Sequence, residues 1–488
     1  MGKEVKSRTF SRAERMQFRE RLGEDLASLR RHLDTADFAD TGSIGLELEL
    51  NLVESDYTPS LRNTEVLDLI ADEAYQSEMG AFNIEFNHPV VKLDGDNLIE
   101  LEESLATELG QAEAKANSVG VGIVMAGMLP TLTEDILTDD NWRSPGERYA
   151  ALNDSILNAR GEDLAIEIDG IESIDVDAAN LAPEAACTSV QLHLQVAPAD
   201  FGSLWNTAQA IAGPQVALAA NSPIFLEKML WHESRIEVFK QSIDTRPPEL
   251  VEQGVRPRTW FGERWIESIA DLFEENVRYF PSLLPELSDE ADREHPDAPP
   301  VPELLLHNGT VYRWNRPIYQ PAEDGELSHL RIENRLLPAG PTPIDTVANA
   351  AFFFGLVHKL RRQEQPIWER MSFQTANDNF TACARYGLGA WVYWPGVGDL
   401  PITELLVRHL IPMAAQGLQD MDVSDEAVER YTSVLNSRAR SEQNGAAWQI
   451  KTLKALESDG MSRREALKEL TGRYSKNMLA NTPVHLWK

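Results

Sequence analysis

Between Ile44 and Leu52 the apolar residues fall at 44, 46, 48, 50 and 52, every second position. That is the period of a strand and not of a helix, and it leaves Glu47 and Glu49 together on the opposite face. Three later segments repeat the alternation. In NIEFNHPV, Asn83, Glu85 and Asn87 oppose Ile84 and Phe86. In VQLHLQV, Gln191, His193 and Gln195 oppose Val190, Leu192, Leu194 and Val196, and in RIENRLL, Arg331, Glu333 and Arg335 oppose Ile332, Asn334 and Leu336. One such strand alone is ordinarily a half-solvated surface strand, and a single histidine on it a structural group. Four of them, with polar faces filled by Asn and Gln rather than Thr, point to one sheet with helices over its oily side and a cleft on its polar side.

Longer-period patterns place the helices. A first helix is predicted from about Ser11 to Leu33, with Ser11 as cap and Glu14 three residues on. Others are predicted over 63–79, 98–118 and 204–221, and after Thr342, where Pro343 suits the first turn and Asp345 stands where a capping box has its acid. VGIVMAGM and NGTVYRW read as further strands, 287–302 as a polar, proline-rich surface loop, and the chain from about 402 onward as almost wholly helical. The mixture predicts an α+β fold.

Composition narrows the function. With 42% hydrophobic and 25% charged residues in 488, the chain is globular in character. No apolar run reaches the ~18 to 20 residues that span a bilayer, and the charged N-terminus has no apolar signal core, so the chain reads as soluble and cytoplasmic, with no membrane partner. Two cysteines, Cys187 and Cys383, support neither a disulfide framework nor a cysteine metal cage and read as packing thiols. A net charge of -33 opposes a nucleic-acid surface, because neutralising phosphates needs basic stripes.

That excess of acid also makes the polar faces costly. Residues two apart on a strand lie about 6.6 Å apart, so Glu47 and Glu49 repel by roughly 2.5 kcal/mol at an effective dielectric of about 20. Glu85 and Glu333 add to this. Arg331 and Arg335 relieve part of it, but oxygen-rich clusters are what Mg2+ or Mn2+ takes, and two carboxylates at this spacing suit two neighbouring ions better than one. Arginines beside them would hold phosphate oxygens. With no Walker loop in the chain, this is nucleotide chemistry on a sheet.

These residues resemble the glutamate-cysteine ligases of type 2 and related carboxylate-amine ligases. The family's G-x-E-x-E strand is matched by Gly45, Glu47 and Glu49, and its glutamate-then-proline strand by Glu85 and Pro89. Its Arg-Tyr pair is matched by Arg148 and Tyr149, its T-x-x-Q strand by Thr188 to Val196, and its S-x-N-S-P-F segment by Asn221, Ser222 and Pro223. HNGTVYRWNRPIYQ and RIENRLLPAGPTP are similar to its His/Thr strand and its E-x-R strand. The resemblance runs from about 40 to 450. Gln-Leu-His-Leu-Gln stands where some relatives have Asn or Asp, and WNR replaces V-R.

The resemblance implies a glutamine synthetase-like fold, with a curved antiparallel sheet lined by carboxylates and helices on its outer face. It also implies a helical segment 1–40, a catalytic domain 41–400 and a helical C-terminal region 401–488 packed on it. It implies ATP as co-substrate and Mg2+ (or Mn2+), with Glu47, Glu49, Glu85, His193 and Glu333 as metal ligands. His307, Thr310, Arg316 and Arg335 would bind the nucleotide, Arg316 and Arg335 steadying the phosphoryl group, and Arg148, Gln191 and Asn221 would bind substrate. The reaction implied joins the γ-carboxylate of glutamate to an amine, cysteine first, through an acyl phosphate. A different amine or acid, a non-catalytic nucleotide- or metal-binding relative, and a phosphotransferase are the alternatives. Near the C-terminus, Arg438 and Arg440 precede a glycine and a helix start, which reads equally as an anion-closing flap or as an interhelical turn.

Overall fold

The computed structural model describes residues 10–293, 298–322 and 326–488. The start of the N-terminal segment and residues 294–297 of the expected 287–302 loop lie outside these. The four alternating segments lie in one curled sheet. Its strands are β1 (Ser43–Glu54), β2 (Tyr75–Ser77), β3 (Asn83–Lys92), β4 (Val121–Val124), β5 (Ser189–Val196), β6 (Asn315–Gln320) and β7 (His329–Pro338). Across the sheet they run β6-β7-β5-β1-β3-β2, β4 also pairs with β1, and every pairing is antiparallel.

The oily face is the floor of the core. Ile44 and Leu46 of β1 and Leu192 of β5 meet Leu101, Ala350 and Phe354, from the helices Asn97–Asn117 and Pro343–Leu360. Each such side chain, fully buried, contributes about 1.5–3 kcal/mol. A one-residue slip of β1 would put Glu47 and Glu49 into that core, so burial of the leucines sets the register that faces the acids into the cleft.

Several predicted elements are revised. The helix expected over 63–79 stops at Ile70, where Ala71 turns left-handed (φ 49), and the chain returns as the short edge strand β2. The helix expected over 204–221 is two, Phe201–Ala210 and Ala212–Ala219. The NGTVYRW strand is only Tyr312–Arg313, preceded by the helix Pro302–Asn308. Asp345 does not close a capping box. Thr342 accepts the Asp345 N–H as expected, but the Asp345 carboxylate lies 2.7 Å from Arg438 and accepts the Val484 N–H at 2.9 Å, tying this helix end to the C-terminal region.

That tie decides between the flap and the interhelical turn. Arg438 is buried in the helix Asp425–Ser441, bonded to Asp345, Asn349 and the Leu218 carbonyl, and Asn444 caps the next helix, Gly445–Ser458. The segment does not line the cleft and is an interhelical turn. We expect Arg438→Ala, which strands a buried Asp345, to lower unfolding free energy by about 3–5 kcal/mol; urea denaturation measures it, and a loss under 1 kcal/mol would contradict the pairing. The hairpin of Trp391–Trp394 and Gly398–Pro401 carries the two tryptophans away from the cleft, Trp394 buried and Trp391 exposed. Among the described residues no helix is long and apolar enough to cross a membrane.

Candidate active site

The polar face of the sheet is the floor of a cleft of ≈ 920 Å³, within the size range of small-molecule sites. Register decides which polar groups meet. Glu49 lies opposite Glu85 of β3, Glu47 lies between Asn87 and Gln191, and Glu333 lies between Arg316 of β6 and His193 of β5. Across from His193 on the next strand is Gly45. A Cβ at position 45 would make only ordinary contact with His193, 3.4 Å from its Cβ, and the imidazole leans toward Glu47, whose Oε1 is 2.9 Å from its Nε2.

The acids fall into two groups. Glu47, His193 and Glu333 bring one ligand atom each within 4.8 Å of one another, and so do Glu49, Glu78 and Glu85. The neighbouring acids of β1 therefore head different groups. Both donor sets, carboxylate oxygens with one imidazole, suit a hard divalent cation. His193 supports the fit: the contact with Glu47 lacks hydrogen-bond geometry, and neither buried ring nitrogen has a hydrogen-bond partner.

Charge separates the groups further. Burial raises Glu333, but Arg316 and Arg335 outweigh it and hold its carboxyl well below the ordinary range. Arg316 is bidentate on Glu333, at 2.8 and 3.1 Å, and Arg335 is also paired with it. Glu47 is held down by His193 against its own burial. Among the described residues the second group has no ion pair, and Arg335 and Arg235 only partly offset the burial of Glu49. Burial, with Glu85 second, pushes Glu49 up to about 7. Burial and Glu47 raise Glu85, and burial with Glu85 and Glu49 raises Glu78 well above the carboxylate range. Gln191 donates to Glu49 at 3.0 Å and accepts from Arg335 at 2.7 Å, linking the two groups.

Arg335 reaches this position through a β-bulge. Between Asn334 and Leu337, β7 has one residue more than β5 opposite it, which re-aims the strand. The bulge is held from beneath. Arg235, ion-paired with Glu233 at 3.1 Å, donates to the carbonyls of Arg335 and Leu336, and Glu233 in turn accepts the Asn221 N–H at 2.8 Å.

Asn221 is thus corrected from substrate contact to support. Fully buried, it donates to the Ala339 carbonyl and the Tyr474 hydroxyl and does not line the cleft. His307 and Thr310 are corrected too. The chain is helical rather than extended at 307, the imidazole Nε2 meets the Asn276 carbonyl at 2.9 Å, and Thr310 donates to the His307 carbonyl. Their neighbours Asn308 and Gly309 line the cleft in their place. Arg148, Gln191, Arg316 and Arg335 all line it. Cys187 also lines it, its thiol raised far up by burial, and so stays an unreactive packing group.

Two acids escaped the sequence reading. Glu78 lay hidden in the overextended helix, and its proximity to the strand that pairs β2 with β3 is the signal that could have found it. Glu184 precedes β5, half-buried at the cleft, with a carboxyl pushed up to about 8 by desolvation and then by Glu49. Nothing in its local spacing marks it.

A curled antiparallel sheet presenting paired acid groups and arginines to one cleft defines the glutamine synthetase-like ligases. The chain belongs to glutamate-cysteine ligase family 2, whose sequence model matches residues 43–471, and is accordingly an ATP-dependent carboxylate-amine ligase of the glutamate-cysteine ligase kind. The glutamate-cysteine ligase of Francisella tularensis, solved in complex with AMP, has a similar fold, with a TM-score of 0.55, 11% identity and 91% of each chain covered. So has a bifunctional glutathione synthetase from Pasteurella multocida, with a TM-score of 0.51, 12% identity, 95% of this chain and 55% of that one. At those identities the likeness concerns the fold alone. No curated protein matches the sequence.

Proposed function

We propose that the protein joins the γ-carboxylate of glutamate to an amine, cysteine first among acceptors, in two steps. A γ-carboxylate oxygen of glutamate attacks the terminal phosphorus of ATP, and the bond to the β-phosphate oxygen breaks to release ADP. The amine nitrogen then attacks the acyl carbon of the acyl phosphate, expels inorganic phosphate and loses a proton as the amide forms. The observation that carries this reading is the convergence of two acid groups and two arginines on one cleft floor.

Glu47, His193 and Glu333 would hold one Mg2+ and Glu49, Glu78 and Glu85 a second. Such ions, when bound, neutralise phosphate charge and polarise the oxygens in transfer. The chain's own part is placement. Arg335, bonded to Gln191 and Glu333, stands between the groups, where a transferring phosphoryl would meet both. Arg316 keeps Glu333 ionised and oriented. Glu184, pushed up to about 8, stays largely protonated near neutrality and is suited to donate a hydrogen bond or a proton into the cleft. Arg148, on the helix Glu147–Arg160 at the cleft wall, would meet the acid substrate's carboxylate.

The test is phosphate release. Purified protein with ATP, Mg2+ and glutamate should release phosphate only when an amine is added, most rapidly with cysteine in a panel of amines. Absence of release with every amine would remove the reading, and release with another amine alone would reassign the acceptor.

A further inference from the structure

The strap of residues 286–293 forms part of the cleft wall with almost nothing apolar to anchor it. Leu287, Ser288, Ala291 and Asp292 line the cleft, yet from Ser288 to Arg293 the sequence SDEADR holds no apolar side chain larger than alanine. Burial cannot fix such a segment, so polar contacts must. Those on Ser288, Glu290 and Arg293 come from Glu303 and from the N-terminal helix Arg12–Thr35, which precedes the residues matched by the family's sequence model. Arg21 donates to the Ser288 carbonyl at 2.7 Å, pairs with Glu290 and reaches Glu303 at 3.0 Å. In return Arg293 pairs with Asp25 at 3.0 Å, with Glu24 at 3.2 Å and with Glu303. Glu303 sits on the helix Pro302–Asn308, whose Leu305 and Leu306 also line the cleft, and it accepts the Ser288 N–H at 3.1 Å and the hydroxyl at 2.8 Å. Burial raises its carboxyl, but Ser288 and Arg21 outweigh this and hold it below the ordinary range. Asp25 accepts the Leu304 N–H at 3.1 Å, so the N-terminal helix grips both parts of this wall.

What a firmly held wall does is set by the intermediate inside it. An acyl phosphate is open to water as well as to an amine. A water oxygen attacks the acyl carbon, inorganic phosphate leaves, the water gives up a proton and the γ-carboxylate is regenerated, so that the net change is hydrolysis of ATP to ADP and phosphate. Sites that carry such intermediates shut water out by closing a wall over them. We propose that the N-terminal helix, through Arg21, latches the strap 286–293 in place so that the acyl phosphate meets the amine and not water. Arg21 is then a positioning residue, outside the cleft and touching no reactant. The proposal rests on the ligase reading above.

Phosphate and amide are measured for wild type, Arg21→Met, Arg21→Lys and Glu290→Gln with ATP, Mg2+ and glutamate, with and without the best amine of the panel, alongside thermal unfolding. Arg21→Met leaves Glu303 paired with Arg293 and bonded to Ser288, so no buried carboxylate is stranded. The Glu290 side chain is 81% exposed, so its variant spares the fold and decides alone should the methionine variant not fold. Phosphate release without amine is expected to rise roughly tenfold in Arg21→Met, the gain in unlatched population that losing hydrogen bonds to a charged group implies. Amide formed per phosphate should fall below the wild-type ratio, with lysine restoring part of it and Glu290→Gln showing a smaller rise. Coupling as tight as wild type in every folded variant would overturn the proposal: with a lowered melting temperature it leaves the network purely structural, and with a raised KM it gives the strap to substrate binding instead. Wild type that releases no phosphate with any amine would defeat the ligase reading itself.

Discussion

Glu333→Gln is expected to lower turnover by on the order of 10³ or more while the protein stays folded. The substitution keeps the shape of the side chain and removes its charge. One acid group loses an anionic donor, and Arg316 and Arg335 lose the carboxylate that orients both. The two arginine side chains are 23% and 22% exposed, so each can turn toward solvent rather than remain buried and unpaired. Steady-state phosphate release and near-UV circular dichroism together read the result. Wild-type turnover in a folded variant would refute any part for Glu333 in the chemistry.

The second large effect concerns pH and Mg2+. Glu49, Glu78, Glu85 and Glu184 are all raised above the ordinary carboxylate value of about 4.5, Glu49 to about 7 and Glu184 to about 8. The folded protein therefore keeps these protons to higher pH than the unfolded chain does. Stability of the metal-free protein falls as pH rises from about 4.5 through these values. Glu47 and Glu333, held low, behave oppositely, and their contribution is lost only on acidification below that window. Because a cation must displace a proton from the Glu49 group, apparent Mg2+ affinity should rise up to about tenfold per pH unit between pH 5 and 7. Thermal shift with Mg2+ should grow over the same range. A Mg2+ shift independent of pH would show that these acids do not take the ion.

How much of this was legible in the sequence follows from range. Period-two alternation is a local signal, and burial of the opposite leucines enforces it, so the polar faces of β1, β3, β5 and β7 could be read directly. Which acids share a group could not, because that depends on register between strands up to 286 residues apart, Glu47 and Glu333 being the extreme. Glu78 was missed because β2 is three residues long and its spacing mimics a helix until Ala71 reverses the chain. Asn221 was misplaced for another reason. Its motif was correct, but a short polar residue serves equally for binding a ligand or for satisfying buried backbone, and only the contacts with Ala339 and Tyr474 distinguish them.

Asn221 also bears on where the chain can be cut. Its amide is bonded to Tyr474 and Gln449, Gly445 packs against it so closely that a Cβ there would lie 2.0 Å from Asn221 Oδ1, and Tyr474 reaches the carbonyl of Met125 just past β4. Through Glu233 and Arg235 the same residue steadies Arg335. Trimming the chain after position 401 would therefore not liberate a minimal catalyst; it would unplug the reactive arginine from behind and lay open a broad greasy seam, leaving an aggregating remnant.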